Sequence, residues 1–295
     1  MNYKKGFLFS FLLTFIPFSG KTQNNSLLWE ITGYDLKASS YLFGTMHVKD
    51  KRAYQFHDSL MIKLKSCKTF AGEIVLDKSA AKEVSSDLLL PPGKDLKNLL
   101  TEKEYKKVKK YCNKNIGALS LFVNKIKPIF TSALISESLL ENDMPKALDE
   151  YLQDKAKEYN LTVKGLETIQ EQMKVLNGLS VEEQAKMLVE QIDNIEKERK
   201  EMQRMADVYA SQDLDSIYTF VQTPEMQGEF GDALIKDRNI IMTERLEKLL
   251  KSETVFCAIG AAHLPGENGV LNLLRKKGYI LRAINKNNIL QRIQK

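Results

Sequence analysis

The sequence SYLFGTMH occupies residues 40–47 of this chain, and TVFCAIGAAH occupies residues 254–263. Each is a short apolar run rich in β-branched and aromatic residues, which predicts a buried strand. Each run breaks at a glycine, and a histidine follows three positions later, so that His47 and His263 stand in matched contexts. Ligands of open α/β sheets bind outside the carboxyl ends of the strands. We therefore expect both histidines at one site if the two strands are close in the sheet.

The patterns beside these two segments predict an α/β fold. The amino-terminal part reads as two strands joined by a hairpin-like connection, then a helix and a strand, at residues 28–32, 41–43, 56–66 and 69–76. The carboxyl-terminal part, from about residue 232, reads as helix, strand, helix and strand, the last three at residues 254–259, 268–277 and 279–284. Strands from both ends must share one sheet to bury their apolar faces.

The middle of the chain, about residues 80–230, predicts mainly helices. Thr101 and Ser180 each begin a capping-box sequence ahead of an amphipathic run, and the second run continues toward Tyr209. One strand, at residues 161–166, interrupts this region, and no linker rich in Pro, Gly or Ser divides the chain. We predict a single mixed-sheet α/β domain over residues 23–295, formed by the terminal strand–GxxH segments and carrying a large central helical insertion.

The first 22 residues predict an export signal. Two lysines precede an apolar run at residues 6–18 that is too short for a comfortable membrane span. Small residues then precede Gln23, the expected mature start, while a retained anchor is the alternative. The first cysteine, Cys67, lies far beyond the run, so an acylated lipoprotein is not expected. The chain is therefore expected in the periplasm or outside the cell, without stable membrane insertion once the signal is removed.

Charge and cysteine content exclude several classes of protein. The formal net charge is +6, and it falls to +3 without the three lysines of residues 1–22, which is too little to indicate nucleic-acid binding. The lysines at residues 103–110 predict a solvated helix face. Cys67, Cys112 and Cys257 are an odd set without close spacing, so they allow at most one disulfide and favour ordinary buried thiols over a zinc cluster.

Four side chains are candidates for chemistry. His47 and His263 can serve as metal ligands or general bases near neutral pH. Glu73 lies in an apolar run, where an ionised carboxylate is costly unless it is paired or bound to a cation, and a strand edge facing water is the alternative. Glu167 ends the strand at 161–166, with an exposed first-turn helix position as its alternative. Such a set would fit Zn, Mn, Co or Fe with one position open for water.

Motif spacing alone specifies this site weakly, because the His-Glu-x-x-His, Gly-x-Ser-x-Gly and phosphate-loop patterns are absent. The chain nevertheless resembles the TraB/GumN family over about residues 27–284. The matching segments are LWEI at 28–31, YLFGTMHV at 41–48, GLET at 165–168 with Gln172, DRN at 237–239, GAAHLPGENG at 260–269 and GY at 278–279. This family is related to the Tiki proteins, membrane-tethered metalloproteases that clip the amino terminus of Wnt ligands, and more remotely to erythromycin esterase and ChaN-like proteins.

The resemblance implies that His47, Glu73 and His263 are active-site positions, with Glu167 and Arg238 as companions. The residues alone favour a surface role for Arg238. The resemblance gives it the task of holding a substrate carboxylate, or of orienting Glu73 or Glu167. His57 has no such support, and we expect it at the surface.

We therefore expect an exported metal-dependent hydrolase, a peptidase acting on short or extended peptide segments. His47, His263 and one carboxylate, Glu73 in the simplest assignment, would hold Mn, Co or Zn, and the second carboxylate would take a proton from the bound water. Two alternatives stay open: a binding module that sequesters a peptide, a haem-like ligand or a metal, and a metal-free hydrolase with a histidine as general base. The first reading predicts that the two imidazoles lie within about 8 Å of each other.

Overall fold

A computed structural model describes residues 26–33, 36–77, 87–222 and 228–285. The predicted export signal at residues 1–22 and the mature start at Gln23 lie outside the described residues. Among the helices of these ranges, none combines the length and the apolar content that crossing a bilayer requires.

One mixed sheet joins the two ends of the chain, as predicted. Its strands are β1 (Leu28–Thr32), β2 (Ser40–Thr45), β3 (Thr69–Gly72), β4 (Thr162–Gly165), β5 (Val255–Gly260) and β6 (Ile280–Ala283). They stand in the order β4-β3-β5-β2-β1-β6. β1 is antiparallel to both neighbours, while β4, β3, β5 and β2 run parallel to one another. The two GxxH segments therefore supply adjacent parallel strands, with Thr45 opposite Gly260.

The parallel pairing brings four strand ends to one edge of the sheet. β2, β5, β3 and β4 all end there, and each is followed within three residues by one candidate side chain. In the order of those strands, these side chains are His47, His263, Glu73 and Glu167. Since neighbouring strands lie about 4.8 Å apart, this edge can place groups from distant parts of the chain within contact of one another.

Helices connect and cover the strands. They are α1 (Ser59–Lys65), α2 (Leu96–Leu99), α3 (Glu102–Asn115), α4 (Pro128–Ser138), α5 (Leu148–Glu158), α6 (Ile169–Leu176), α7 (Val181–Asp193), α8 (Ile195–Ala210), α9 (Leu214–Val221), α10 (Glu229–Leu234), α11 (Lys236–Leu250) and α12 (Val270–Lys276). The capping boxes at Thr101 and Ser180 are present, and a third one at Thr168 begins α6. The helix-rich middle of the chain is thus confirmed for the described residues.

The sheet and the insertion each have a core. Trp29, Phe43, Phe70 and Phe256 are among the largest fully buried side chains of the main core, and the rings of Phe70 and Phe256 stack across β3 and β5 at 6.4 Å. A second apolar cluster fills the space between α2, α3, α4 and α7. Its buried members are Leu96, Val108, Cys112, Val123, Ile135, Ala185, Leu188, Val189 and Ile192. The insertion is therefore a packed unit within the domain.

Two predicted elements end earlier than expected. β3 stops at Gly72 and not at residue 76, because β4 beside it ends at Gly165 and the backbone of Leu76 bonds to the side-chain amide of Gln153 instead. The helical run after Ser180 breaks at Asn194 into α7 and α8. The three cysteines are free and buried, as their apolar contexts predicted.

Candidate functional site

An open cavity of about 260 Å³ lies at the edge where the parallel strands end. Both polar and apolar groups line it. The polar lining residues are Thr45, His47, Glu73, Asp149, Gln153 and Gln172. The apolar lining residues are Phe70, Ile74, Leu76 and Ala258, and Gly72 and Gly260 complete the lining. His47 and Glu73, from β2 and β3, thus line the same cavity.

Glu73 directly follows β3, and hydrogen bonds fix both of its carboxylate oxygens. The backbone N–H of Gly260 donates to Oε1 at 2.7 Å, while Nη2 of Arg238 and Nε2 of Gln172 donate to Oε2 at 2.7 and 3.1 Å. Burial by itself would raise the pKa of Glu73. The charge of Arg238 and the hydrogen bonds from Arg238 and Gly260 work against burial, and His263 adds to them in its protonated form, so the pKa lies below its ordinary value. Glu73 is therefore an ionised carboxylate in a fixed orientation.

Arg238, near the start of α11, holds two carboxylates at once. Its Nε donates to Oε1 of Glu167 at 3.0 Å, and its Nη2 donates to Oε2 of Glu167 and Oε2 of Glu73, each at 2.7 Å. Burial would lower the pKa of Arg238, but the bonds to Glu167 and the charge of Glu73 raise it. Its side chain is only 14% exposed, so the surface position that the residues alone favoured is wrong.

Glu167 lies behind this arginine and away from solvent. Its side chain is 1% exposed, and both of its oxygens accept hydrogen bonds from Arg238. Its backbone N–H donates to the carbonyl oxygen of Glu73 at 2.7 Å, which ties the end of β4 to the end of β3. The exposed helix position considered for Glu167 is therefore wrong. Of the two carboxylates, Glu73 is the one that lines the cavity.

His263 is buried in the short 3₁₀ turn Ala261–His263 that follows β5. Its Nδ1 lies 2.7 Å from Oδ1 of Asn239, and Nδ2 of Asn239 donates to the carbonyl oxygen of Asn268 at 2.8 Å. Because that bond fixes the amide orientation, Nδ1 of His263 is the protonated nitrogen. Burial lowers the pKa of His263 below its ordinary value despite the nearby charge of Glu73. The neutral ring therefore presents the lone pair of Nε2 toward Oε1 of Glu73, 3.8 Å away.

His47 stands at the cavity mouth with a side chain that is 71% exposed. Its Nδ1 lies 3.3 Å from Oδ2 of Asp149, in the first turn of α5, while the hydroxyl of Thr45 donates to Oδ1 of the same carboxylate at 2.5 Å. The hydrogen bond to Asp149 raises the pKa of His47 above its ordinary value. Asp149 thus fixes the ring so that Nε2 is the nitrogen left for another partner.

The donor chemistry of these groups fits a divalent metal ion. Metal-binding histidines ordinarily present one ring nitrogen to the ion and give the other to an oxygen acceptor, which is the arrangement of His47 with Asp149 and of His263 with Asn239. Glu73 adds a carboxylate oxygen beside Nε2 of His263. Within the described ranges, however, no three His, Cys, Asp or Glu side chains are grouped closely enough to hold a metal ion.

Several residues of the site were not recognised from the sequence. Asp149 looks like any acid in the first turn of a helix, a common position for Asp and Glu. Asn239 and Gln172 belong to motifs that the resemblance identified, but their contacts with His263 and Glu73 could not be read from the sequence. His57, expected at the surface, is half-buried, and its Nδ1 accepts the backbone N–H of Ser59 at the start of α1.

Residues 27–283 match the sequence pattern that defines the TraB/PrgY/gumN family, and the chain belongs to this family. A protein named metalloprotease TIKI homolog, from Nematostella vectensis, is 24% identical to it over 320 residues, which cover 86% of this chain and 66% of that protein. A second of the same name, from Amphimedon queenslandica, is 25% identical over 90% of this chain and 63% of its own length. Metalloprotease TIKI1 of Xenopus tropicalis is 23% identical over 88% of this chain and 61% of its own length.

This chain therefore spans less than two thirds of the length of these relatives. No solved structure matches it. The resemblance read from the end motifs is confirmed by the family match.

Proposed function

We propose that this protein is a metal-dependent hydrolase that cleaves peptides at the cavity lined by His47 and Glu73. The observation that carries the proposal is the state of Glu73. Its carboxylate is ionised, held from behind by Arg238 and Gly260, and next to the free lone pair of His263. The metalloprotease names of the relatives support the reaction class. Since this chain spans only part of their length, the activity is proposed here from its own site.

In this proposal His47 and His263 would hold the ion through Nε2, and Glu73 would hold it through Oε1. Mn, Co and Zn are the metals that we expect. A bound ion of this kind polarises a carbonyl oxygen and lowers the pKa of bound water.

The chain's own residues prepare the ligands. Asn239 keeps the proton of His263 on Nδ1, and Asp149 orients the ring of His47, so each Nε2 is available. Arg238 keeps Glu73 ionised and fixes its orientation, while Glu167 holds Arg238 in place. With both carboxylates on its guanidinium, Arg238 is better suited to orienting Glu73 than to binding a substrate carboxylate. Glu167, closed to solvent, is proposed as a positioning residue in place of the proton acceptor considered from the sequence.

The cavity also supports a peptide as the substrate. Its lining includes the apolar residues Phe70, Ile74, Leu76 and Ala258 as well as the polar residues His47 and Glu73. An apolar side chain next to the scissile amide could contact the apolar residues, because burying apolar surface there is favourable. A small molecule with an apolar group beside a hydrolysable bond is the alternative substrate.

The second candidate is a metal-free hydrolase, and the contact between Glu73 and His263 favours it. A neutral imidazole whose Nε2 lone pair faces a carboxylate at 3.8 Å is also a plausible general base with an ionised neighbour. The third candidate, a binding module, needs the cavity but no proton transfer.

One experiment separates these candidates. The metal content of the purified protein is measured by plasma mass spectrometry, and cleavage of a peptide library is measured before chelation, after chelation and after return of Mn, Co or Zn. We expect bound metal and cleavage that chelation abolishes and one of these metals restores. Cleavage that survives chelation would favour the metal-free hydrolase, and tight peptide binding without cleavage would favour the binding module.

The proposed place of action is outside the cytoplasm. This follows from the basic and apolar pattern of residues 1–22. Amino-terminal sequencing of the protein from its native host is expected to begin near Gln23. Recovery of the form beginning at Met1 in the cytoplasm would contradict it.

A further inference from the structure

Positive charge is concentrated in one segment of the helical insertion. Residues 94–127 contain ten lysines and three acidic residues, an excess of seven, whereas the formal net charge of the whole chain is +6. The remainder of the chain is therefore almost neutral. An excess of positive charge concentrated in one segment can attract an extended negative surface.

The same part of the insertion exposes a group of large apolar side chains. Leu121 is 74% exposed, Phe122 58%, Leu89 47% and Leu119 45%, and these are half of the eight large apolar residues that are exposed in the described part of the chain. Single exposed apolar residues are ordinary on protein surfaces, but contiguous groups mark interaction sites. We refer to these four residues as the apolar turn.

The members of the apolar turn are neighbours in space. The N–H of Phe122 donates to the carbonyl oxygen of Leu119 at 3.0 Å, and the N–H of Ile126 donates to that of Phe122 at 3.1 Å. Leu89 forms an antiparallel bridge with Ile126. The backbone therefore brings the segment at residue 89 against the turn that carries Leu119, Leu121 and Phe122.

Buried residues within the same turn hold it against the core of the insertion, and its exposed apolar side chains point toward solvent. Ser120 and Val123 are buried at 6% and 1% exposure, and Val123 belongs to the core of the insertion. The alternation of buried Ser120 and Val123 with exposed Leu119, Leu121 and Phe122 fixes which side chains project. A folded insertion therefore keeps this apolar group in contact with water.

Lysines stand directly beside the apolar turn. Nζ of Lys109 donates to the carbonyl oxygen of Ser120 at 2.6 Å. The side chain of Lys125, three residues after Phe122, is 66% exposed, with its Nζ 3.9 Å from Oδ2 of Asp95. Apolar side chains that project between cationic ones are the pattern of proteins that rest on a membrane surface. The apolar groups enter the headgroup boundary and the lysines meet anionic lipids.

We propose that the apolar turn and the lysines of residues 94–127 dock this protein reversibly on the surface of an anionic lipid bilayer. A second copy of the chain is a poorer occupant, because the excess of positive charge on both copies would repel. Anionic headgroups above an apolar layer complement both features of the surface at once. This docking is independent of the hydrolase activity proposed above.

The test is sedimentation of the protein with lipid vesicles. The purified protein, with the amino terminus that the cell leaves on it, is mixed with vesicles of phosphatidylcholine alone or with about one third phosphatidylglycerol. We expect binding to the anionic vesicles that weakens as NaCl is raised. The double change Leu121→Ser and Phe122→Ser is expected to lower the partition coefficient about ten-fold or more. Lys125→Glu is expected to lower it by a smaller factor.

A matched control uses exposed apolar residues elsewhere. Ile62 and Ile280 are 66% and 63% exposed, and Ile62→Ser with Ile280→Ser changes as much exposed apolar surface away from the insertion. This control carries the same amino-terminal segment, so any binding through that segment appears equally in it. We expect its partition coefficient and its melting temperature to match those of the unaltered protein.

Insertion of the turn is followed directly with Phe122→Trp. Lipids brominated on the acyl chains are expected to quench the added indole in anionic vesicles, whereas Trp29 is buried and gives the background. Three results would overturn the proposal. These are no binding to anionic vesicles, binding that Leu121→Ser and Phe122→Ser leave unchanged, and a dimer in solution that the same double change dissolves. In the last case the surface is an interface between copies.

Discussion

Nε2 of His263 lies 3.8 Å from Oε1 of Glu73, although the two residues are 190 positions apart in the chain. The two residues are close in space because β3 and β5 are adjacent parallel strands, with Gly72 opposite Ala258. Asn239 on one side fixes the tautomer of His263, and Arg238 on the other keeps Glu73 ionised. The two neighbouring residues of α11 thus prepare both partners of this contact.

Loss of either histidine is expected to weaken metal binding. His47→Ala and His263→Ala each remove one of three proposed ligands, and we expect the affinity for the ion to fall about 100-fold or more. Isothermal titration with Mn²⁺, Co²⁺ and Zn²⁺ measures it. His57→Ala is the matched control, since His57 bonds locally at the start of α1. The affinity of this variant for the metal ion is expected to stay unchanged. Equal affinities in all three variants would contradict the assignment.

Asp149 is expected to act through His47. Asp149→Ala frees the ring of His47, and we expect metal affinity to fall about 10- to 100-fold, as is typical when the oxygen acceptor behind a ligand is removed. Thr45→Val removes the other bond to Asp149 and is expected to have a smaller effect. Asp154→Ala, on the same helix and paired with Lys146, is the control. A fall in melting temperature without a change in metal affinity would show a purely structural role for Asp149.

The two carboxylates are expected to respond differently to the same change. Glu73→Gln removes a proposed ligand, so both bound metal and cleavage should be lost. Glu167→Gln alters a carboxylate that bonds Arg238 and Gln172 and does not line the cavity, so the metal should remain while turnover falls about 10²-fold through misplacement of Glu73. Metal content and kcat are measured on each variant, with Glu171→Gln as the control. Retention of metal in Glu73→Gln with loss of turnover would instead make Glu73 the proton acceptor.

The ion pair between Glu171 and Arg245 predicts a pH dependence of stability away from the cavity. Hydrogen bonds from Arg245 and Thr168 lower the pKa of Glu171 from its ordinary 4.5 to about 2. Because the pKa of Glu171 is lower in the folded protein than in the unfolded chain, its ionised form stabilises the fold at pH values above about 4.5. This stabilisation is lost as the pH falls from about 4.5 toward 2. The pair is more than a third exposed, so we expect Glu171→Gln to lower the free energy of unfolding at pH 7 by only about 1 kcal/mol.

Denaturant unfolding at a series of pH values measures this effect. The difference between Glu171→Gln and the unaltered protein should shrink as the pH approaches 2. Glu267→Gln is the control, because Glu267 is 85% exposed with its nearest lysine 3.9 Å away, and it should differ little at any pH. A constant difference over the whole range would argue that Glu171 does not stabilise the fold through its charge.

The strand pattern of the sequence was enough to predict how the two ends of the chain meet. Apolar runs ended by Gly44 and Gly260 identify buried strands, and burial on both faces requires neighbours, so a shared sheet follows from elementary packing. The structure makes β2 and β5 direct neighbours in that sheet, a condition that the sequence had left open. The positions of His47 and His263 at one edge follow in turn. Their roles as ligands stay predictions.

Side-chain partners set by tertiary placement could not be predicted in the same way. Arg238 lies in a polar helix start, and only the tertiary placement of α11 buries it between Glu73 and Glu167. The end of β3 at Gly72 depends on where β4 ends, which the local sequence of β3 does not contain. Asp149 reaches His47 across about 100 residues of intervening chain, and no local pattern distinguishes it from other helix-start acids.

The pairing of β2 with β5 also determines when the protein can acquire its site. Tyr41 lies opposite Phe256, so a growing polypeptide holds the first strand long before its partner has been translated. Sheets closed by such distant segments fold slowly, since loop closure precedes any gain from the contact. The nascent chain therefore carries no assembled cavity until His263 has left the ribosome. A polypeptide that stays open this long is suited to threading through a translocation pore if residues 1–22 direct it there.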